Sequence, residues 1–391
     1  MDLSPLPQLS AIERISPSFY STSVKCMAGA AWYQFGPQDS PPVATGAILG
    51  SAFHAVMEMA NRGAIPAGNA GLAAAKEAFD RQAHFLFDRA HPLVRIKFGL
   101  VQNVPYYHQR RSRAAAMAAQ ASNVARRTSE THAARMAVTR STDKTLRRLI
   151  EARLTSADGE ISGRVDLLDC DEGRVTDYKS GHAPRAGADV KGEIRQMRLY
   201  VHLALENGYF VNKASIIRGD GTTVEIEVPE VQAREEGNRA RAVRQEFNAA
   251  VAGGRALLDL AAPAPSTCAG CPYVAFCEAF WAKASPEWEA VCGAHAEGRV
   301  LGIDESALAG ADLATFRIDC RRGSTLLQQL IVEQVPREWL SIGSRLPAVG
   351  DLVRFVQAFR AQPSGNEQRP ILRVDRFKST TIWIVTPVAV S

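Results

Sequence analysis

The sequence predicts a mixed α/β core that carries a long helical insertion and is followed by a small all-β unit. Three observations predict it: an alanine-rich stretch with helical character from Leu72 to about Ile150, short β-like runs between Glu160 and Val228 with a helix among them, and repeated β runs from about His295 onward. The 391 residues exceed one ordinary domain, which places the α/β unit at about 1–290, its insertion at about 68–150, and the β unit at 295–391. With 46% hydrophobic and 22% charged residues, the chain buries a large core, which excludes broad disorder. Seven cysteines are too few for a disulfide scaffold, and an odd count without a signal peptide points to a reducing compartment. No apolar run approaches the roughly 20 residues that span a bilayer, so the expectation is a cytoplasmic protein with no membrane partner.

Taken in order, Ser16-Pro17 is a helix start, a hydroxyl cap followed by the residue best tolerated at the first helical position. Helical character continues through Phe35 and puts Cys26 on this early helix. A loop with Gly36-Pro37 and Pro41-Pro42 precedes a helix around Ile48 to Asn61, where His54 and Glu58 share a face at i, i+4. The insertion follows, interrupted near His91-Pro92 and Pro105. Within it, Arg110, Arg111, Arg113, Arg126, Arg127, Arg135, Arg140, Lys144, Arg147 and Arg148 face only Glu130 and Asp143, a local charge of +8 inside a chain of net +5. Such a face fits either a solvated surface or a nucleic-acid contact.

The β runs are Glu160 to Asp169, Arg174 to Tyr178, Ala214 to Arg218 and Thr223 to Val228, with a helix from about Gly192 to Asn207. Another helix is expected from about Glu230 to Leu260, ended by Ala261-Ala262-Pro263-Ala264-Pro265. Beyond about His295, five or six short strands with Gly and Pro turns suggest a small barrel, most like an OB-fold. Phe316, Arg317, Phe355, Phe359, Arg360, Arg373, Arg376, Phe377 and Lys378 mix rings and cations there. They fit base stacking with phosphate contact, a filled barrel core with charges outside, or a protein-docking surface.

Two constellations carry chemistry. In the first, Gly163-Arg164-Val165-Asp166 precedes Asp177-Tyr178-Lys179 by ten residues. On neighbouring strands of a hairpin the two aspartates approach one another and can hold Mg²⁺ or Mn²⁺, with Lys179 on the same face as Asp177. That arrangement suits hydrolysis; a turn acid beside an exposed ion pair fits the spacing equally well. In the second, Cys268, Cys271 and Cys277 follow the helix break and Cys26 lies far upstream. Three or four convergent thiolates suit zinc or a [4Fe–4S] cluster, with Cys292 the rival fourth ligand. Cys170 and Cys320 lie in β runs and suit burial as small hydrophobes.

The ordered set His54, Gly163 to Asp166, Asp177-Tyr178-Lys179 and Gln196 to Tyr200 resembles the PD-(D/E)XK nuclease superfamily, and specifically its RecB-like branch with an iron–sulfur cluster. The resemblance covers about residues 10 to 285. It implies a restriction-endonuclease-like core in which His54, Asp166, Asp177 and the Tyr178 carbonyl hold the metal ion. Lys179 then assists attack by water, and Gln196 and Tyr200 orient the strand. It also implies a [4Fe–4S] cluster on Cys26, Cys268, Cys271 and Cys277, stapling the ends of the domain. Glu58 and Glu151 are weaker carry-overs to the metal shell. The activity implied is metal-dependent DNA hydrolysis, of exonuclease type, on single strands or DNA ends, in repair or antiviral defence. The basic stretch Arg110 to Arg148, with Arg195 and Arg198, then becomes a DNA surface. A non-catalytic, cluster-stabilised DNA-binding or scaffolding subunit is the alternative.

Overall fold

A computed structural model describes residues 7–36, 45–138, 148–181, 190–308, 311–340, 345–361, 369–374 and 381–385. The first helix, α1 (Pro17–Ser23), starts where expected: the Ser16 hydroxyl accepts from the Phe19 amide at 3.1 Å. Helical structure then breaks and resumes as α2 (Met27–Phe35), so Cys26 is not inside a helix. It is the extended residue at the joint, with φ −159° and ψ 108°. Next come α3 (Thr45–Asn61), α4 (Gly68–Asp88), α5 (Pro92–Phe98) and α6 (Tyr107–Val138). The first, second and fourth of these pack on one another through Leu49, Phe53, Phe79 and the small side chains Ala75, Ala114 and Ala118, all buried. Alanine at these contacts lets the helix backbones approach closely, which is the use of the alanine-rich composition.

The central sheet is β1 (Arg148–Thr155), β2 (Ser162–Asp169), β3 (Arg174–Lys179), β4 (Lys213–Arg218) and β5 (Thr223–Glu227), in that spatial order. The first strand begins inside the stretch expected to be helical to Ile150. Its state is set by antiparallel pairing with β2, which helical periodicity does not register. Neighbours are antiparallel except β3 and β4, which run parallel and are joined by the crossover helix α7 (Lys191–Glu206). That helix and α8 (Glu230–Ala252) share a core with the sheet through Met197, Leu199, Leu203, Val165, Val175 and Ile216. The α3 side shares a second core with Leu167 and Tyr178. The eighth helix ends earlier than expected, before Gly254 at φ +70°, and Leu257–Leu260 form a separate 3-10 turn.

Short helices α9 (Pro265–Cys268), α10 (Glu278–Lys283) and α11 (Glu289–Cys292) lead into the C-terminal strands. These are β6 (Ala294–Leu308), β7 (Ala311–Gly323), β8 (Gln329–Pro336), β9 (Leu352–Ala361), β10 (Ile371–Arg373) and β11 (Thr381–Ile384), with helix α12 (Arg337–Leu340) between the third and fourth of them. Their order is β10-β8-β7-β6-β9-β11, and β10 also pairs with β9, so the pairings return on themselves. Phe316 and Phe355 are wholly buried there, edge to face with ring centres 5.6 Å apart. Core filling is therefore their use, and Arg317, Arg360 and Arg373 sit in ion pairs with Asp304, Glu289 and Glu333. Phe359 is half-buried, while Arg376, Phe377 and Lys378 lie outside the described residues. Among the described residues, no helix is long and apolar enough to cross a membrane.

Candidate active site

Strand register builds the site. Ile150 pairs with Leu167 and Ala152 with Val165, which sets Glu151 opposite Asp166; Leu167 pairs with Thr176, which sets Asp177 beside Asp166 just where that ladder ends. Three acids therefore stand side by side on three adjacent strands. Past the end of the ladder the Tyr178 amide donates to Asp166 Oδ2 at 2.7 Å, so a carboxylate replaces the missing backbone partner. Glu151 adopts φ +53°, a left-handed conformation that costs a non-glycine residue energy and is found where function demands it.

From α3, His54 Nδ1 comes within 3.5 Å of Asp166 Oδ2. His54, Glu151 and Asp166 form a grouping whose ligand atoms all lie within 4.8 Å of one another, the spacing one ion requires. Asp177 is only 5% exposed. Its Oδ2 lies 2.9 Å from Lys179 Nζ, an ion-pair distance, yet it has no aligned hydrogen bond. Lys179 Nζ donates instead to Gln196 Oε1 at 3.0 Å, and Gln196 Nε2 donates to the Tyr200 hydroxyl at 3.3 Å. The i, i+4 spacing of Gln196 and Tyr200 on α7 puts both over this end of the sheet.

The local field is negative. Burial pushes the Asp177 carboxyl above its usual range, Lys179 pulls against this, and Asp166 adds to it. Burial, followed by the Asp166 charge, raises Glu151 in the same direction. For His54, burial opposes the imidazolium, but the hydrogen bond and charge of Asp166, with Asp177 and Glu151 behind it, outweigh that and raise its pKa. A cluster of acids that cannot comfortably ionise together, with one buried oxygen left without an aligned donor, fits a divalent cation.

Residues 14–278 match the PD-(D/E)XK nuclease superfamily. The chain belongs to that superfamily. No curated protein matches it. Superfamily members are nucleases that use divalent metal ions, and this PD-(D/E)XK chain keeps the histidine, the acids and the lysine together in one place. Of the weaker sequence candidates, Glu151 joins the ligand grouping, whereas Glu58 pairs with Arg62 at 3.0 Å. The Tyr178 side chain turns into the second core, its hydroxyl accepting from Asn61 Nδ2 at 3.2 Å. Arg164, to which no sequence pattern gives a role, lies 2.5 Å from Glu151, a diagonal contact across β1 and β2 that only their pairing creates.

In this PD-(D/E)XK chain the cysteines converge as well. Cys26, Cys268, Cys271 and Cys277 line a single cavity with Trp32, Tyr273 and Phe280. Cys292 is not among its walls, and its Sγ donates to the Pro265 carbonyl at 3.0 Å. Burial pushes the thiol of Cys268 up to about 11 and that of Cys271 up to about 12. Cys320 is buried and Cys170 half-buried, away from the cavity. In the basic stretch, Arg111 clasps Asp80 at 2.6 and 2.7 Å, Arg110 donates to the Gly46 carbonyl at 2.9 Å, and Arg148 pairs with Asp169 at 2.9 Å. Arg198 stands 3.8 Å from the buried Glu236. The side chains of Arg126, Arg127 and Arg135, and all of Arg140, Lys144 and Arg147, lie outside the described residues.

Proposed function

We propose that the chain is a Mg²⁺- or Mn²⁺-dependent deoxyribonuclease that acts on single-stranded DNA or DNA ends, of exonuclease type, in DNA repair or antiviral defence, and that it works in the cytoplasm. The observation that carries this reading is the buried Asp177, whose Oδ2 lacks an aligned donor, beside Asp166, Glu151 and His54 with Lys179 against it. His54, Glu151 and Asp166, whose ligand atoms lie together, would hold the ion with Asp177 and the Tyr178 carbonyl beside them. When bound, such an ion polarises the phosphodiester and lowers the pKa of a water. Lys179, held by Asp177 and Gln196, orients the attacking water and offsets negative charge developing on the phosphoryl oxygens. Gln196 and Tyr200 align the strand. Labelled single strands incubated with Mg²⁺ or Mn²⁺ test this: Lys179→Ala is expected to lose about 10²-fold or more of the activity. Equal activity of both proteins overturns the assignment.

We further infer a [4Fe–4S] cluster on Cys26, Cys268, Cys271 and Cys277. All four thiols wall one cavity, and Cys26 reaches it because the helix breaks there. Protein purified without oxygen is expected to be brown, to contain iron, and to lose it in Cys26→Ala. Colourless protein with one zinc, unaffected by that substitution, would show the reading to be wrong.

For the C-terminal unit an OB-fold reading is supported by three features: the returning order of five strands, the parallel pairing of β8 with β10, and a helix between β8 and β9.

A further inference from the structure

An open pocket on the edge of the sheet lies outside the cation site and is lined by Arg14, Ser16, Ser18, Gln34, Arg153 and Arg164, with no acid among its walls. Its arginines are placed at a cost. Arg153 on β1 and Arg164 on β2 are directly opposite one another in the antiparallel register, where like charges destabilise a sheet. Arg164 is relieved by Glu151 at 2.5 Å. Arg14 and Arg153 have no partner among the described residues, and both are exposed. Packing explains neither their charge nor their proximity.

The pocket also shares a wall with the active site. Tyr200 lines it, and the same Tyr200 hydroxyl accepts a hydrogen bond from Gln196 Nε2, while Gln196 Oε1 accepts one from Lys179 Nζ. The close approach depends on Gly163, where a Cβ would stand 3.0 Å from both Tyr200 and Pro17. A strand whose scissile phosphate lay against Lys179 and that ran on past Tyr200 would meet three guanidinium groups, three serine hydroxyls and an amide. That set is selective for a phosphate oxyanion.

We propose that this pocket is a phosphate subsite that holds a phosphate of the nucleic-acid strand next to the one being cleaved. It rests on the nuclease reading for its substrate class. It assigns Arg14 and Arg153 a role in binding and makes Arg164 the link between the subsite and Glu151. The phosphate can come from an internal phosphodiester or from a phosphorylated strand end, and both present the same oxygens.

The test is binding of fluorescent single-stranded oligonucleotides without divalent ions, across a salt series, by wild type and by Arg14→Ala/Arg153→Ala. The double variant is expected to bind about 10-fold more weakly and to reduce the slope of log affinity against log salt by about 1.4, the value for two lost contacts on a single strand. Its melting temperature should be unchanged or raised, because a cross-strand repulsion has been removed. The Arg→Lys pair should recover the slope. Oligonucleotides with 5′-phosphate, 3′-phosphate or hydroxyl ends separate the sources: equal losses on all three assign an internal phosphate, and a loss confined to one phosphorylated end assigns that terminus. A folded variant with wild-type affinity and slope overturns the subsite even if the wild type cleaves DNA. Subsite-dependent binding by a wild type that never cleaves leaves the subsite standing and removes the nuclease reading, whereas a wild type that binds no strand removes both. Should the double variant fail to fold, Arg14→Ala alone, outside every helix and strand, carries the same measurement.

Discussion

At the scale of single residues, Asp177 concentrates the conflict between stability and function. A carboxylate that is 5% exposed and beside Asp166 is disfavoured as an anion in the metal-free protein, and Lys179, with a smaller contribution from His54, offsets this. Asp177→Asn removes that burden. It is expected to keep or raise the melting temperature without metal while lowering cleavage by at least about 100-fold, a loss at least as large as that from removing a supporting group around a metal. Thermal melts with activity assays decide; a protein that loses both in parallel would make Asp177 a structural acid. His54, Asp166, Asp177, Lys179, Gln196 and Tyr200 were legible in the sequence because each lies in a short local pattern. Glu151 was faint, since its place comes from the register of β1 on β2, and no local pattern carries a register.

Among the elements, α7 bears most on the chemistry, because it carries Gln196 and Tyr200 while packing against α8. Their crossing depends on Gly237, where a Cβ would lie 2.3 Å from His202 Nε2, inside contact distance of a buried ring. Gly237→Ala is expected to cost about 1–3 kcal/mol of stability, as overpacking does, and to lower activity by displacing α7. Chemical denaturation measures the first effect; an unchanged midpoint would show that the helices can part without cost. Elements whose signals are local, such as the Ser16-Pro17 start of α1 and the crossover helix itself, were readable from the chain. The break before Cys26 was not, because Val24, Lys25 and Cys26 carry no proline, and the only nearby glycine, Gly29, lies within α2. What the break accomplishes is to turn the thiol toward Cys268, Cys271 and Cys277, residues more than 200 positions away.

For the whole molecule, the C-terminal strands are part of one core with the nuclease sheet, beyond what a separate appended unit would require. Arg354 on β9 is fully buried and donates to Glu297 Oε2 at 2.7 Å, to the Ala275 carbonyl at 2.6 Å and to Glu278. The last two flank Cys277, so the strand unit fixes the loop that bears the cysteines. Near it, His295 is wholly buried; its Nδ1 accepts from the Gln357 amide at 3.4 Å and its Nε2 donates to the Cys292 carbonyl at 3.1 Å, which defines a neutral ring. Burial pushes its pKa from 6.5 down to about 4. Between those values the unfolded chain takes up the proton and the folded one does not. This contribution is therefore complete above about pH 6.5 and falls away as the pH drops toward 4, by at most about 3 kcal/mol. Denaturation midpoints between pH 4 and 7 should show the slope, and His295→Gln should flatten it.

The sequence by itself determined the superfamily, the order of its motifs, the α/β class with β strands behind it, and the chemical types of the candidate site residues. These are written in local patterns: a hydroxyl cap, alternation along a strand, an i, i+4 pair, a cysteine spacing. Tertiary structure alone decided that Glu151 rather than Glu58 joins His54 and Asp166, that Phe316 and Phe355 fill a core, and that Arg153 and Arg164 face one another. The physical reason is common to all three: each depends on a register or a packing contact between distant segments, and the energy of such a contact belongs to the pair and is absent from either segment alone.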